Sequence, residues 1–225
     1  MLKRYMPYRW QRFPEEEMER RGREYFKLMN ARRSVRAFSG QPVGRELIEL
    51  AIRTASTAPS GAHRQPWRFV AVSDPEVKRR LREAAEREEY EFYEGPGRNE
   101  QWLAALERLG TNRHKEFLEA APWLVVVFEQ RYGINADGSK RQNYYVSKSV
   151  GIACGMFIAA VHQMGLATLP YTPAAMGFLS EILGGAKNER SYIVFPVGYP
   201  AEGVEVPDLI RKGIDEICEW KIAGE

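Results

Sequence analysis

At 225 residues the chain is about one and a half times a nominal ~150-residue domain, and no Pro-, Ser- or Gly-rich linker divides it, so one domain spanning 1–225 with an arm or extension is expected. Hydrophobic residues at 44% and charged residues at 28% exclude a disordered chain. A net charge of +3, spread along the sequence, argues against nucleic acid or a membrane surface as partner and leaves room for an anionic small molecule.

From Pro14 the run EEEMERRGREYFKLMNARR places Met18, Tyr25, Phe26 and Met29 at helical spacing, with acids in its first turn. A second helix, ELIELAIRTASTA, has the face Leu47, Leu50, Ala51 and Thr54 and ends before Pro59. The run Trp67–Val72 reads as a strand, and Asp74-Pro75 starts a third helix over Pro75–Glu94. Residues 94–99 form a Gly/Pro loop, and a further helical stretch runs from about Gln101 to Glu119. Trp123–Phe128 is branched and apolar without alternation, as in a strand buried on both faces. After a turn at Asn135–Gly138, Val150–Gly165 is apolar nearly all round, which marks a core or interface helix. Ser191–Tyr199 is a late strand. Strands alternating with helices predict an α+β or α/β sandwich.

Cys154 and Cys218 are too few for a disulfide framework or a four-cysteine zinc site, and His63, His114 and His162 share no ligand spacing, so no metal centre is expected. The N-terminal segment lacks a signal-peptide apolar core. Val150–Leu166 falls short of the ~20 residues of a membrane span and carries His162 and Gln163. A soluble, cytoplasmic protein is expected.

Four segments carry chemistry. Arg32-Arg33-Ser34-Val35-Arg36 concentrates guanidinium donors, which bind phosphate bidentately; in an extended segment Arg32, Ser34 and Arg36 share one side. By itself such a run equally describes a solvated basic patch. Thr57–Trp67 (TAPSGAHRQPW) is a tight turn whose backbone N–H groups can face a ligand. Tyr171-Thr172-Pro173 puts a hydroxyl just after the apolar helix, and Val206–Lys212 (VPDLIRK) adds two late cations.

In order and spacing, the elements RRSVR-F, APSGAH-QPW-F, SVGIACG-F-AA-HQ-GL-T, TP, FPVGYP and VPDL-RK resemble the nitroreductase-like FMN flavoproteins and, within them, the iodotyrosine deiodinases, from about residue 17 to about 217. The resemblance implies an α+β fold with a mixed sheet flanked by helices, in an intertwined homodimer with two FMN sites at the interface. It implies that Arg32, Arg33, Ser34 and Arg36 hold the flavin, that Pro59, Ser60 and Gly61 lie against it, and that Arg211 completes the phosphate site. Thr172 would lie near flavin N5, where its hydrogen bond favours single-electron steps. Glu89, Tyr93 and Lys115 would hold the amino-acid zwitterion of a halogenated tyrosine under a lid at about 86–115, with the Ala62 amide on the phenolate. Glu89 and Tyr93 are four apart and share a helix face, although EREEYEFYE alone reads as a solvated acidic helix. The function implied is FMN-dependent reductive dehalogenation of halotyrosines, driven by an external reductant or reductase. A broad FMN nitroreductase or quinone reductase using NAD(P)H, or a non-catalytic flavin-binding dimer, remain the alternatives.

Overall fold

Trp123–Gln130 (β2) is the central strand, and its lack of alternation is explained by what covers it. In the computed structural model, which describes residues 5–96 and 98–223, Leu124 to Phe128 are all fully buried. Leu124, Val126 and Phe128 enter one core; Val125 and Val127 enter another on the opposite face. Along its edges β2 pairs with β1 (Trp67–Val72) and β6 (Glu189–Gly198), and β6 also pairs with the short β5 (Ala167–Thr168), giving the order β1-β2-β6-β5. The helix-flanked α+β arrangement agrees with expectation. The sheet differs in one respect: it was expected to be mixed, and every pairing among the described residues is antiparallel. A parallel pair needs a crossover that returns the chain to the same end, usually one helix. Here α3 (Pro75–Glu94), α4 (Glu100–Glu107) and α5 (Phe117–Ala120) together separate β1 from β2, and strand direction across such a connection is not written in local sequence.

Helices cover both faces. α3, α5 and α7 (Gly177–Leu183) lie over the first core, and α2 (Arg45–Ser56) and α6 (Val146–Gln163) over the second. Phe157 of α6 is fully buried, with its ring centroid 6.2 Å from Phe69 and 5.0 Å from Phe195. Truncating such a residue removes its apolar burial and leaves a cavity, so Phe157→Ala should cost about 3–5 kcal/mol of stability. A denaturant titration reads this directly, and a midpoint close to that of the unaltered protein would contradict the packing described.

The predicted elements recur with instructive shifts. α3 starts where Asp74-Pro75 indicates, with the Asp74 carboxylate accepting from the Val77 N–H at 2.9 Å. α1 (Glu15–Ala31) forms as predicted, yet Met18, Tyr25 and Phe26 are exposed. α2 buries Ile48, Ala51 and Ala55; of the predicted stripe Ala51 lies inside and Leu47 packs partly against the core, while Leu50 and Thr54 are exposed. Leu47, Ile48, Leu50, Ala51, Ile52 and Ala55 spread over a wide arc of α2, so more than one apolar stripe fits the period, and packing against α6 chooses among them. The single helix expected over 101–119 is two, α4 and α5. Gly110 at φ +62° ends the first, and the Asn112 side chain accepts from the His114 N–H at 2.8 Å, a local turn in place of a helical bond. The hairpin of β3 (Tyr132–Ile134) and β4 (Lys140–Gln142) around the predicted turn, and the helices α7 and α8 (Ile214–Ile217), were not indicated by periodicity. Gly97 of the predicted 94–99 loop lies outside the described residues. No helix among the described residues is long and apolar enough to cross a membrane.

Candidate functional site

After α1 the chain turns extended at Arg32 (φ −64°, ψ 131°) and runs beside the end of the sheet, bonded through Val35 N–H to the Thr168 carbonyl and Ser39 N–H to the Tyr199 carbonyl. Val35 points into the core, and the polar residues around it point away. They line a cavity of about 270 Å³ that gathers Arg32, Arg33, Ser34, Arg36 and Arg211, with Leu109, Val206 and Pro207 as apolar walls. All five sequence-predicted anion-site residues therefore meet in one place, Arg33 included. The segment 206–211 is tied down over them: the Arg33 guanidinium donates to the Pro207 carbonyl, and Arg211 donates to the Asn30 carbonyl at 3.0 Å and the Arg32 carbonyl at 2.8 Å. No carboxylate is among the lining residues. Burial, with Arg211 and Arg33 alongside, holds Arg32 below the ordinary arginine value. A cluster of cations lacking its own counter-charge, ringed by fork-shaped donors, fits a phosphate group.

The Pro59–Gln65 turn is rigid for a different reason. Ser60 Oγ accepts from the Gln65 N–H at 2.9 Å, and the Gly61 N–H donates to Ser149 Oγ at 3.2 Å. Gly61 lies so near Tyr144 that a Cβ would stand 2.4 Å from the Tyr144 carbonyl oxygen, which only glycine permits. Ala62, His63 and Gln65 all hold positive φ, at 50°, 55° and 48°. Such residues persist where surroundings over-determine the backbone, and they concentrate at binding sites. Pro59, Ser60, Gly61, Ala62 and the exposed Thr172 do not line the arginine cavity of their own chain.

The third assembly lies between α3 and the start of α5. Leu81, Ala85 and Glu89 follow one another along the inward stripe of α3, and Glu89 is only 6% exposed. Lys115, at 2% exposure, brings its ammonium 3.4 Å from Glu89 Oε2 and donates to the Asn112 carbonyl. Its own N–H donates to Glu86 at 2.8 Å. The Lys115 ammonium also stands 5.3 Å from the Tyr93 ring centroid. Burial lowers the Lys115 pKa, with Glu89 opposing the shift, and burial raises that of Tyr93, opposed by a hydrogen bond with Thr111. The solvated acidic helix that local sequence allows is thus not what forms. Glu89 and Lys115 are buried together, with half-buried Tyr93 beside them. Arg36 connects it with the arginine cavity: it lines that cavity, and its charge acts on both Tyr93 and Lys115.

Sequence reasoning missed Tyr171. Its hydroxyl donates to Glu89 Oε1 at 2.8 Å, and its ring meets Phe117 edge-on at 5.4 Å between centroids. The Tyr-Thr-Pro step drew attention to Thr172, and nothing local tells that the preceding side chain turns inward across 82 positions of sequence.

With this geometry in place, comparison with known proteins is direct. The chain belongs to the nitroreductase family, whose model matches residues 29–199. Within that family it is 53% identical over 208 residues to the iodotyrosine deiodinase of Haliscomenobacter hydrossis, covering 92% of this chain and 93% of that one. It is 44% identical over 214 residues to human iodotyrosine deiodinase 1, covering 95% of this chain and 74% of the human one. These relatives place it in the iodotyrosine deiodinase branch. Its structure resembles that of oxidized iodotyrosine deiodinase bound to FMN and 3-iodo-L-tyrosine, with a TM-score of 0.74 and 30% identity over 88% of this chain and 99% of the other. A BluB-like flavoprotein from Clostridium difficile, at TM-score 0.67 and 20% identity, shares the fold.

Proposed function

We propose that this protein is an FMN-dependent iodotyrosine deiodinase that removes halogen reductively from halogenated tyrosines. The observation that carries the reading is the buried Glu89–Lys115 pair with half-buried Tyr93 beside it, an anion and a cation whose charges match those of an amino-acid zwitterion, next to the arginine cavity that Arg36 lines. The residues fit FMN: the phosphate falls to Arg32, Arg33, Ser34, Arg36 and Arg211, and the strained Pro59–Ala62 turn offers backbone to a flat ligand. When bound and reduced, FMN would supply the two electrons that, together with one proton, convert a carbon–halogen bond to carbon–hydrogen and halide.

The chain's own residues bind and orient. Glu89 accepts from the substrate ammonium, Lys115 pairs with its carboxylate, and Tyr93 closes over the same end. The Ala62 N–H donates to the phenolate, and Thr172 donates to the flavin edge at N5. Segment 86–115 serves as the lid that excludes water. The assembly is a homodimer with each FMN site completed by both subunits. In support, Thr172 and the Pro59–Ala62 turn lie outside their own chain's arginine cavity, and apolar surface is exposed on Tyr25, Phe26, Ile152, Ile210, Ile217 and Trp220. Electrons come from an external reductant or reductase, and the protein works in the cytoplasm.

The test is a titration of the flavin-loaded protein with 3-iodotyrosine and with tyrosine, read by quenching of flavin fluorescence, alongside iodide release under reducing conditions. Tight binding of 3-iodotyrosine with iodide release is expected. Absence of both, with rapid reduction of nitroaromatics by NAD(P)H, would transfer the assignment to a nitroreductase.

A further inference from the structure

We propose that Tyr171 is a positioning residue: its hydroxyl fixes the Glu89 carboxylate from the sheet side and thereby sets selectivity for substrates that carry an amino-acid group. The proposal rests on the deiodinase reading and adds a residue to it.

Among the described residues Glu89 has two partners, one on each oxygen. Tyr171 donates to Oε1 at 2.8 Å, and the Lys115 ammonium lies 3.4 Å from Oε2. They are not equivalent. When a zwitterion enters, Lys115 turns to the substrate carboxylate, and Glu89 exchanges that cation for the substrate ammonium. Tyr171 is neutral, so it has no such exchange to make, and it is the partner that stays. It is also the partner on the rigid element: its backbone N–H donates to the Val194 carbonyl at 2.8 Å and its carbonyl accepts from the Val194 N–H at 2.9 Å, which fastens it to β6. Glu89, Lys115 and Asn112 belong to the helix and loop of segment 86–115. A hydrogen bond from the sheet to Glu89 thus registers that segment against the fold, one residue from Thr172. The ring is held independently by Phe117, so removing the hydroxyl leaves its packing in place. Burial, reinforced by the Glu89 charge, raises the Tyr171 pKa well above the ordinary tyrosine value and keeps it a donor.

The experiment compares wild type with Tyr171→Phe, both loaded with FMN, by flavin-fluorescence titration with 3-iodotyrosine and with 2-iodophenol, which lacks the zwitterion. The Kd for 3-iodotyrosine should rise about tenfold or more, as expected for losing a hydrogen bond to a charged group. That for 2-iodophenol should stay within about twofold, with FMN content unchanged. In dehalogenation, KM should rise more than kcat falls. In a Glu89→Gln background, Tyr171→Phe should have little further effect, because the carboxylate that Tyr171 positions is already gone. Unchanged 3-iodotyrosine affinity in Tyr171→Phe, or an equal loss for both ligands, would overturn the proposal. Should Tyr171→Phe fail to fold, Tyr171→Leu, which removes the donor and keeps an apolar side chain, is read by the same Kd ratio: a selective loss for 3-iodotyrosine supports the role, and a parallel loss or none refutes it. Wild type that binds neither ligand would refute the deiodinase reading itself, and this proposal with it.

Discussion

Replacing Glu89 by glutamine should weaken 3-iodotyrosine binding by roughly two orders of magnitude, equivalent to about 2.7 kcal/mol. In the free protein Glu89 and Lys115 neutralise one another inside the fold. A zwitterion inserts into that pair without creating net charge: its ammonium takes the place of Lys115 against Glu89, and its carboxylate takes the place of Glu89 against Lys115. Glutamine keeps the shape and removes one of the four charges, so the bound complex carries an unmatched cation in a buried site. Breaking one side of a buried ion pair commonly costs about 3–5 kcal/mol. Part of that is already incurred in the free variant, where Lys115 has lost its partner, which is why the expected loss of affinity lies below that range. Binding of 2-iodophenol should be weak in the wild type and nearly unaffected by the substitution. If 2-iodophenol and 3-iodotyrosine bind equally well, the zwitterion site is wrong and a nitroreductase becomes the better account.

The sequence was most legible where one physical rule acts alone. Asp74-Pro75 marks the start of α3 because a cap and a fixed φ leave no alternative, and the unbroken apolar run of β2 can only be satisfied by burial on both faces. It was less legible where several stripes compete, as in α2, whose apolar residues spread over a wide arc and whose buried side is chosen by α6. Strand direction belongs to the connections and not to the strands, so the antiparallel sheet could not be read locally. In the site, Arg32, Arg33, Ser34 and Arg36 are legible because they are contiguous and chemically concentrated. Glu89 and Lys115 are 26 positions apart, each indistinguishable from a surface charge by its neighbours, and only the family resemblance joined them. Tyr171 escaped even that, since its role depends on a pairing across the fold.

Reversing the charge at Arg33 should have the other large effect, on retention of the flavin. The cavity around it is lined by Arg32, Arg36 and Arg211 and, among the described residues, by no carboxylate, which favours an anion there. Arg33→Glu removes a charge-assisted donor, worth about 1.5–3 kcal/mol, and sets a carboxylate against the phosphate in its place. It also loses the bond to the Pro207 carbonyl that closes segment 206–211 over the site. The combined loss should weaken FMN binding at least a hundredfold, so that protein recovered by gel filtration carries little flavin by its absorbance ratio. Arg33→Lys keeps the charge and loses the planar fork, and should fall between. Arg131→Glu is the control: Arg131 is exposed, bonded to the Lys187 carbonyl and remote in sequence from the cavity residues, and reversing it should leave flavin content unchanged. Full occupancy in Arg33→Glu would mean that the arginine cavity is not where the phosphate binds. Equal loss in Arg131→Glu would mean that flavin retention responds to net charge and not to this site.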